Sequence, residues 1–472
     1  MSISERKMEM KTKLMICGSL VLSSMALTAS DTPEVSDVVM SQASFGRMVT
    51  VTYKLSNASS GAVVTFDVET NCTVNGETKW ASIGGEAVCN ARGAVWRKVT
   101  SADADDEGKY TITWRPDLSW EGHKVSLADG GARAVVTAWA LDNTPDYMVV
   151  DISASAKANT QRYYPAVEFL PGAAIGQEGA ITNNPAYKTS MIVMRKIMAK
   201  GVTWIEGGLA QHVPSYWQAQ DATHQVELTS NYYISVFPVT QGQWTEVWPK
   251  SSATATYKTE GAMRPMECVS YNEIRLSSSY DDMDVTHDWP QAPSDGSFLG
   301  LLRKKTGIDF DLPSEAQWEF AARAGNGSGY WNDGSPILTL DNNTRDTNLD
   351  RLARYRFTGG KTGESYNASP SSTCGPENAT AIVGSYEPNS WGIYDASGNV
   401  WEWCLDFNAK ASDVVSLYGS VNTVNSDGSK ILRGGAWSVE APACNLSRRC
   451  AYAPDSRYGN CGLRVVCTAG LE

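Results

Sequence analysis

WGIYDASGNVWEW at residues 391–403 and ILRGGAWSVEAPACNLSRRCAYAPDSRYGNCGLRVVC at residues 431–467 decide the reading of this chain. Neither suits a smooth helix or a continuous strand. Glycines that permit positive φ and close backbone approach alternate with indoles that bury a large area and bring one N–H each to satisfy. The stretch reads as compact, loop-built structure of specific geometry. Composition agrees, with sixteen Trp against nine Phe and forty Gly in 472 residues. A chain of that length exceeds one typical core and predicts about two to three domains. The formal charge of −12 argues against a phosphate-tracking surface, so nucleic acid is set aside as a partner.

Toward the N-terminus, Lys7, Lys11 and Lys13 precede the apolar run LMICGSLVLSSMAL at 14–27 and the small residues Thr28, Ala29 and Ser30. This is the charged region, apolar region and cleavage pattern of a secretory signal, too short to span a bilayer. Residues 1–30 are expected to be removed on export, leaving an extracytoplasmic chain (periplasmic, cell-surface or secreted) with no transmembrane segment. Nine cysteines then remain, at 72, 89, 268, 374, 404, 444, 450, 461 and 467, an odd number. Cys72 and Cys89 are alone in their region and are expected to bridge each other. No CxxC pair exists and His123, His212, His224 and His287 are scattered, so no zinc site is expected.

Residues 31–154 alternate with period two. Val49, Val51, Tyr53 and Leu55 share one face, and Val64/Phe66/Val68, Tyr110/Ile112/Trp114 and the run 134–141 repeat the device between Gly, Asn and Asp clusters. The pattern predicts an all-β sandwich, immunoglobulin- or fibronectin-like. Residues 155–200, rich in Pro, Gly and Asn, read as a connector, and a second domain spans 201–472. In that domain three capping boxes mark helix starts, because a Ser/Thr and a Gln/Glu three residues on satisfy each other's backbone N–H groups. They are Thr240/Gln243, Ser270/Glu273 and Ser314/Gln317; Trp244, Val247 and Trp248 follow the first at helical spacing, and Gly325 reads as the terminator after the third. Short helices in long irregular connections predict an α+β domain of low regular content.

The pieces VTWIEGG, HQVELTSNYYISVFPVTQGQW, RPMECVSYNEI, DLPSEAQWEFAARAG, NSWGIYDASGNVWEWC, ILRGGAW and CGLRVV stand in one order over residues 201–467. Together they resemble the formylglycine-generating enzymes, or sulfatase-modifying factors. The resemblance implies a variant of the C-type lectin fold. It also implies an oxidase that converts a client sulfatase's cysteine to formylglycine with oxygen and a copper(I) ion on two thiolates, soft ligands suited to that ion. The family's two cysteines lie five positions apart, the first four residues beyond the GG pair. Counted from Gly435, they fall on Val439 and Cys444, so one ligand is missing. The family's Ser after GG is Ala436 here, and the Arg after the second cysteine is Asn445. Cys450, six positions beyond Cys444, would either form a disulfide or rebuild the thiolate pair. The resemblance further implies a calcium ion on oxygen ligands from Asp395, Gly398, Val400 and Glu402; the alternative for Glu402 is pairing with a buried Arg433 or Arg464. A second calcium site would touch Asn348 and Leu349.

Other constellations carry less. The His-x3-His-x-Glu set of related iron enzymes is absent. Asp281, Asp282 and Asp284 read as a solvated loop. Arg448, Arg449 and Arg457 would either clamp an anionic ligand on a face that includes Trp437, or serve as buried partners of the acidic excess. Trp401, Trp403 and Trp437 read first as core. The expectation is an exported protein whose second domain is a non-oxidase binding or accessory module for a protein or glycan ligand. A copper oxidase acting on a sulfatase client, and a structural or adhesive envelope component, are the alternatives.

Overall fold

Alternation builds the first module. In the computed structural model, the described residues are 32–471 apart from 43–45, 75–76, 121–129, 173–179, 219–220, 257–260, 278–286, 289, 360–378 and 409–427. The expected signal segment, Cys374 and the acidic cluster at 281–284 lie outside them. β1 (Glu34–Gln42), β2 (Val49–Ser56), β5 (Arg92–Gly93) and β7 (Tyr110–Trp114) form one sheet in the order β1-β2-β7-β5. β3 (Ala62–Val74) pairs with β4 (Glu77–Ser82), β6 (Arg97–Val99) and β8 (Ala132–Trp139) in the other. Single helical turns α1 (Gly85–Val88) and α2 (Pro116–Ser119) close the ends. Val49, Val51 and Tyr53 of β2, Val64, Phe66 and Val68 of β3, and Tyr110, Ile112 and Trp114 of β7 meet in one core, as period-two side chains from facing sheets must.

The expected disulfide does not form. Cys89 is a free thiol in the turn after α1, while Cys72 pairs with Lys79 far out on the β3–β4 hairpin.

The expected connector is also part of the second body. β9 (Tyr147–Asp151), β10 (Arg162–Tyr164), β11 (Met191–Ile197), β14 (Tyr232–Ser235) and β19 (Val466–Thr468) form one five-stranded sheet in the order β10-β9-β11-β14-β19. YMVVD and MIVMRKI are apolar on both faces because this sheet is covered on both sides, so they lack the alternation that marks a half-buried strand. One face joins the sandwich core through Tyr147, Val149, Tyr164 and Val193; the other enters the main core through Met148, Val150, Ile192 and Met194. Thr144 Oγ1 donates to the Ala469 carbonyl at 2.8 Å, across 325 positions of chain.

The remainder is short elements in loops. β12 (Val202–Glu206) pairs with β13 (His224–Leu228). α3 (Gln241–Val247), α4 (Phe298–Thr306) and α5 (Glu315–Arg323) precede β15 (Trp401–Phe407), β16 (Lys430–Arg433), β17 (Cys450–Tyr452) and β18 (Cys461–Gly462), which order as β17-β16-β15-β18. The boxes at Thr240 and Ser314 start α3 and α5, each hydroxyl accepting the N–H three residues on while Gln243 or Gln317 accepts in return. Ser270 and Glu273 exchange the same bonds, leading into a single π-type turn at Asn272–Leu276. α5 ends with both Ala324 and Gly325 left-handed.

Candidate functional site

The opening stretch folds as two docked turns. In the first, Gly398 is left-handed at φ 78°, and a Cβ there would meet the Arg354 carbonyl oxygen at 2.4 Å, so only glycine fits. Gly398 N donates to the Gly434 carbonyl (2.6 Å) and Trp437 N to the Asn399 carbonyl (3.0 Å), locking the turn onto the GG pair of the second stretch. Beyond it, β15 sends Glu402 into the core. Arg464 Nε and Nη2 hold its two oxygens at 2.9 and 3.0 Å, and Trp318 Nε1 donates to it at 2.6 Å. The same guanidinium donates to the carbonyls of Ser235, Val236 and Tyr394, tying two further segments together.

This arrangement bears on the expected calcium ligands unequally. Glu402 takes the alternative role, its charge balanced by Arg464. Asp395 is a buried carboxylate that, among the described residues, accepts from Gly384 N (2.7 Å) and Asn399 Nδ2 (3.2 Å), and burial pushes it up to about 6 against those bonds. Ser397, two residues on, has a buried Oγ with no hydrogen-bond partner among the described residues. Asp395 and Ser397 offer oxygen donors of the kind a hard cation takes, Gly398 and Val400 stand in the same turn, and Glu402 has both oxygens held by Arg464 and Trp318. Among the described residues no three His, Cys, Asp or Glu side chains gather as a metal cluster.

The second turn carries the expected thiol. Cys444 ends the 3-10 turn Ala441–Cys444 and is 0 % exposed, packed with Trp331, Leu349, Leu352, Ala353, Tyr355 and Ala441, with Val439 against the same cluster. Burial first, and Glu440 second, push this thiol well above the usual range. It is therefore protonated and sealed. Val439 occupies the ground of the missing cysteine, and Leu349, expected near a second calcium, is part of this apolar packing. Asn445 is spent on structure: its amide donates to the His212 carbonyl (3.0 Å) and its oxygen accepts from Ser447. Cys450 does not rebuild the pair, because it lies on β17 opposite Leu432 and packs against the main core instead.

The expected ligand face is largely interior, which corrects that reading. Trp437 is 2 % exposed and donates to the Gly459 carbonyl at 3.0 Å. Arg449 forms a two-bond pair with Glu315 (2.6 and 2.9 Å). Arg448 stacks 3.9 Å over Trp217 and pairs with Asp221, and Arg457 pairs with Glu273. Burial pushes Asp221 up to about 6 despite Arg448. Trp401 and Trp403 are core, as expected. What stays at the surface is the rim 453–458, where Tyr458 is 47 % exposed and its ring stands 4.7 Å from that of Tyr452.

The acidic partners were missed in the sequence. Glu319 takes both Arg433 and Arg323 and accepts from Gly207 N, and Glu206 meets His224 at 3.2 Å. One signal was present: Glu315 and Glu319 are four apart on α5, so one face of that helix carries two carboxylates.

A family model described as the sulfatase-modifying factor enzyme 1-like domain (FGE-sulfatase) matches residues 189–469. The chain is 35 % identical over 170 residues to a formylglycine-generating enzyme of Streptomyces coelicolor, covering 34 % of this chain and 47 % of that protein. It is 29 % identical over 168 residues to the inactive C-alpha-formylglycine-generating enzyme 2 of Mus musculus, covering 34 % and 43 %. It thus spans less than half the length of either. Among solved structures, PvdO from Pseudomonas aeruginosa matches at 22 % identity over 58 % of this chain and 94 % of that one, with a TM-score of 0.42.

Proposed function

The chain belongs to the sulfatase-modifying-factor family, and from that premise we propose that it is an exported, non-oxidase member, a binding or accessory module. Its family domain is of the C-type-lectin-like α+β type, preceded by the all-β module. One observation carries the reading. Copper(I) oxidase chemistry needs two thiolates in one open pocket, and here a single protonated thiol, Cys444, is sealed in an apolar cluster that Val439 completes. The relative whose name includes "inactive" supports the existence of such members. Export rests on residues 1–30; among the described residues no helix is long and apolar enough to cross a membrane. The partner, a protein or a glycan, would meet the rim around Tyr458, whose exposed ring is suited to stacking on a sugar or packing on a side chain.

The deciding experiment is co-expression with a sulfatase carrying the Cys-x-Pro-x-Arg segment, followed by mass analysis of that cysteine. It is expected to remain unmodified. Aldehyde formation there would establish the oxidase alternative, with copper as cofactor and the sulfatase as client, and end the present reading.

Calcium belongs to the proposal through Asp395. Chelation is expected to lower the melting temperature, since a ligand bound only by the native state stabilises it. Asp395→Asn should remove that response. A melting temperature indifferent to chelator would eliminate the site.

A further inference from the structure

Outside the family domain's two docked turns, the five-stranded sheet ends in a cavity against the sandwich. Its volume is about 410 Å³, inside the range of small-ligand pockets. One wall is a single face of the sheet. Arg162 stands directly opposite Val149, and Tyr164 opposite Tyr147; Asp151 lies two residues beyond Val149 and opposite Met191. Antiparallel partners and alternate residues share a face, so Val149, Asp151, Arg162, Tyr164 and Met191 all point the same way. The opposing wall comes from the sandwich, where Cys89 to Arg92 follow α1.

The neutral polar groups of this lining are already committed. Asn90 donates to the Arg115 carbonyl and Ser119 Oγ and accepts from Arg115 N. Asn184 and the Tyr187 hydroxyl both donate to the Pro171 carbonyl, and Thr160 Oγ1 to the Lys157 carbonyl. The charged groups are not so committed. Asp151 accepts one bond, from Ser153 N at 2.9 Å, and among the described residues neither Arg92 nor Arg162 has an ion-pair partner. In a chain with twelve more acidic than basic side chains, two unpaired guanidinium groups and one unpaired carboxylate thus line one cavity without reaching each other. Diagonal cross-strand positions such as Asp151 and Arg162 stand about 7–8 Å apart, somewhat less at Cβ, a separation that a small dipolar molecule bridges.

We propose that this cavity binds a free α-amino acid, its carboxylate held by Arg92 and Arg162, its ammonium by Asp151, and its side chain against Tyr164, Val149 and Met191. Two guanidinium groups suit a carboxylate's paired acceptors, and the aromatic and aliphatic wall suits an uncharged side chain. The site lies beside the half-buried thiol of Cys89, which supplies a reporter independent of any activity.

The test is a panel of standard L-amino acids, read by melting temperature and by the rate of Cys89 alkylation with iodoacetamide, followed by peptide mass. At least one member is expected to raise the melting temperature and to slow alkylation about tenfold at about ten times its Kd. Acetate and methylammonium, each carrying one of the two charges, should do neither. Arg92→Ala, Arg162→Ala and Asp151→Asn, all at solvent-accessible positions, should each abolish the protection without unfolding the chain. Protection by no amino acid, equal protection by acetate alone, or protection that survives all three substitutions overturns the proposal.

Discussion

In the sandwich, ion pairs lie at the surface: Arg133 with Glu69, Lys54 with Asp37 and Lys109 with Glu107 each have at least one well-exposed partner. The second body has surface pairs too, such as Arg351 with Glu387, but it adds a buried set. Arg433 with Glu319, Arg464 with Glu402, Arg275 with Asp311 and Arg449 with Glu315 are all buried. The sandwich has long strands whose ladders satisfy the backbone, leaving apolar faces to fill the core. The second body has long loops whose carbonyls must find donors elsewhere, and a buried guanidinium with five N–H groups serves several at once, as Arg464 does. Charge inside the molecule thus goes with irregular backbone. Apolar ladders go with regular backbone.

The comparison can be broken at its strongest point. Glu319→Ala removes the direct partner of both Arg433 and Arg323, leaving Arg433 only its 3.4 Å contact with Glu315, and takes the acceptor from Gly207 N; it should destabilise the protein by about 3–5 kcal/mol in urea unfolding. A loss below about 1 kcal/mol would show that the buried pairs are incidental. In the sandwich core, Ile112→Val removes one methylene from a fully buried site and is expected to cost about 1 kcal/mol. Smallest of all, Arg133→Ala at the sandwich surface should change stability by less than about 1 kcal/mol, and less still at high salt. A larger effect would mean that its stacking on Trp80, 4.5 Å away, outweighs the ion pair.

The same contrast sets how much was legible in the sequence. Period-two faces such as Val49, Val51 and Tyr53, and the capping boxes at Thr240 and Ser314, are local devices, and each appears where its spacing placed it. β9 escaped, and β11 read equally as a short strand or a helix, because a strand buried on both faces has no alternation. The docked turns were legible as a frame, down to Val439 standing in for a cysteine. The fate of Arg448, Arg449 and Arg457 was not, because a guanidinium's partner is fixed by tertiary contact across more than a hundred positions, as between Arg449 and Glu315. Glu402 had two readings on the sequence, and only the placement of Arg464 separates them.

The bond from Thr144 to Ala469 has a kinetic consequence. The five-stranded sheet takes β9 from ahead of the family domain and β19 from that domain's far end, so its contact order is high and loop closure must precede any gain from pairing. Until β19 arrives, the edge of β14 and the apolar faces of β9 and β11 stand open to other chains. The sandwich shares its core with that sheet, and so its final consolidation waits on a strand more than three hundred residues downstream. Refolding should therefore show the sandwich's local strands forming early and its interface with the sheet forming late, in one slow phase shared by both bodies.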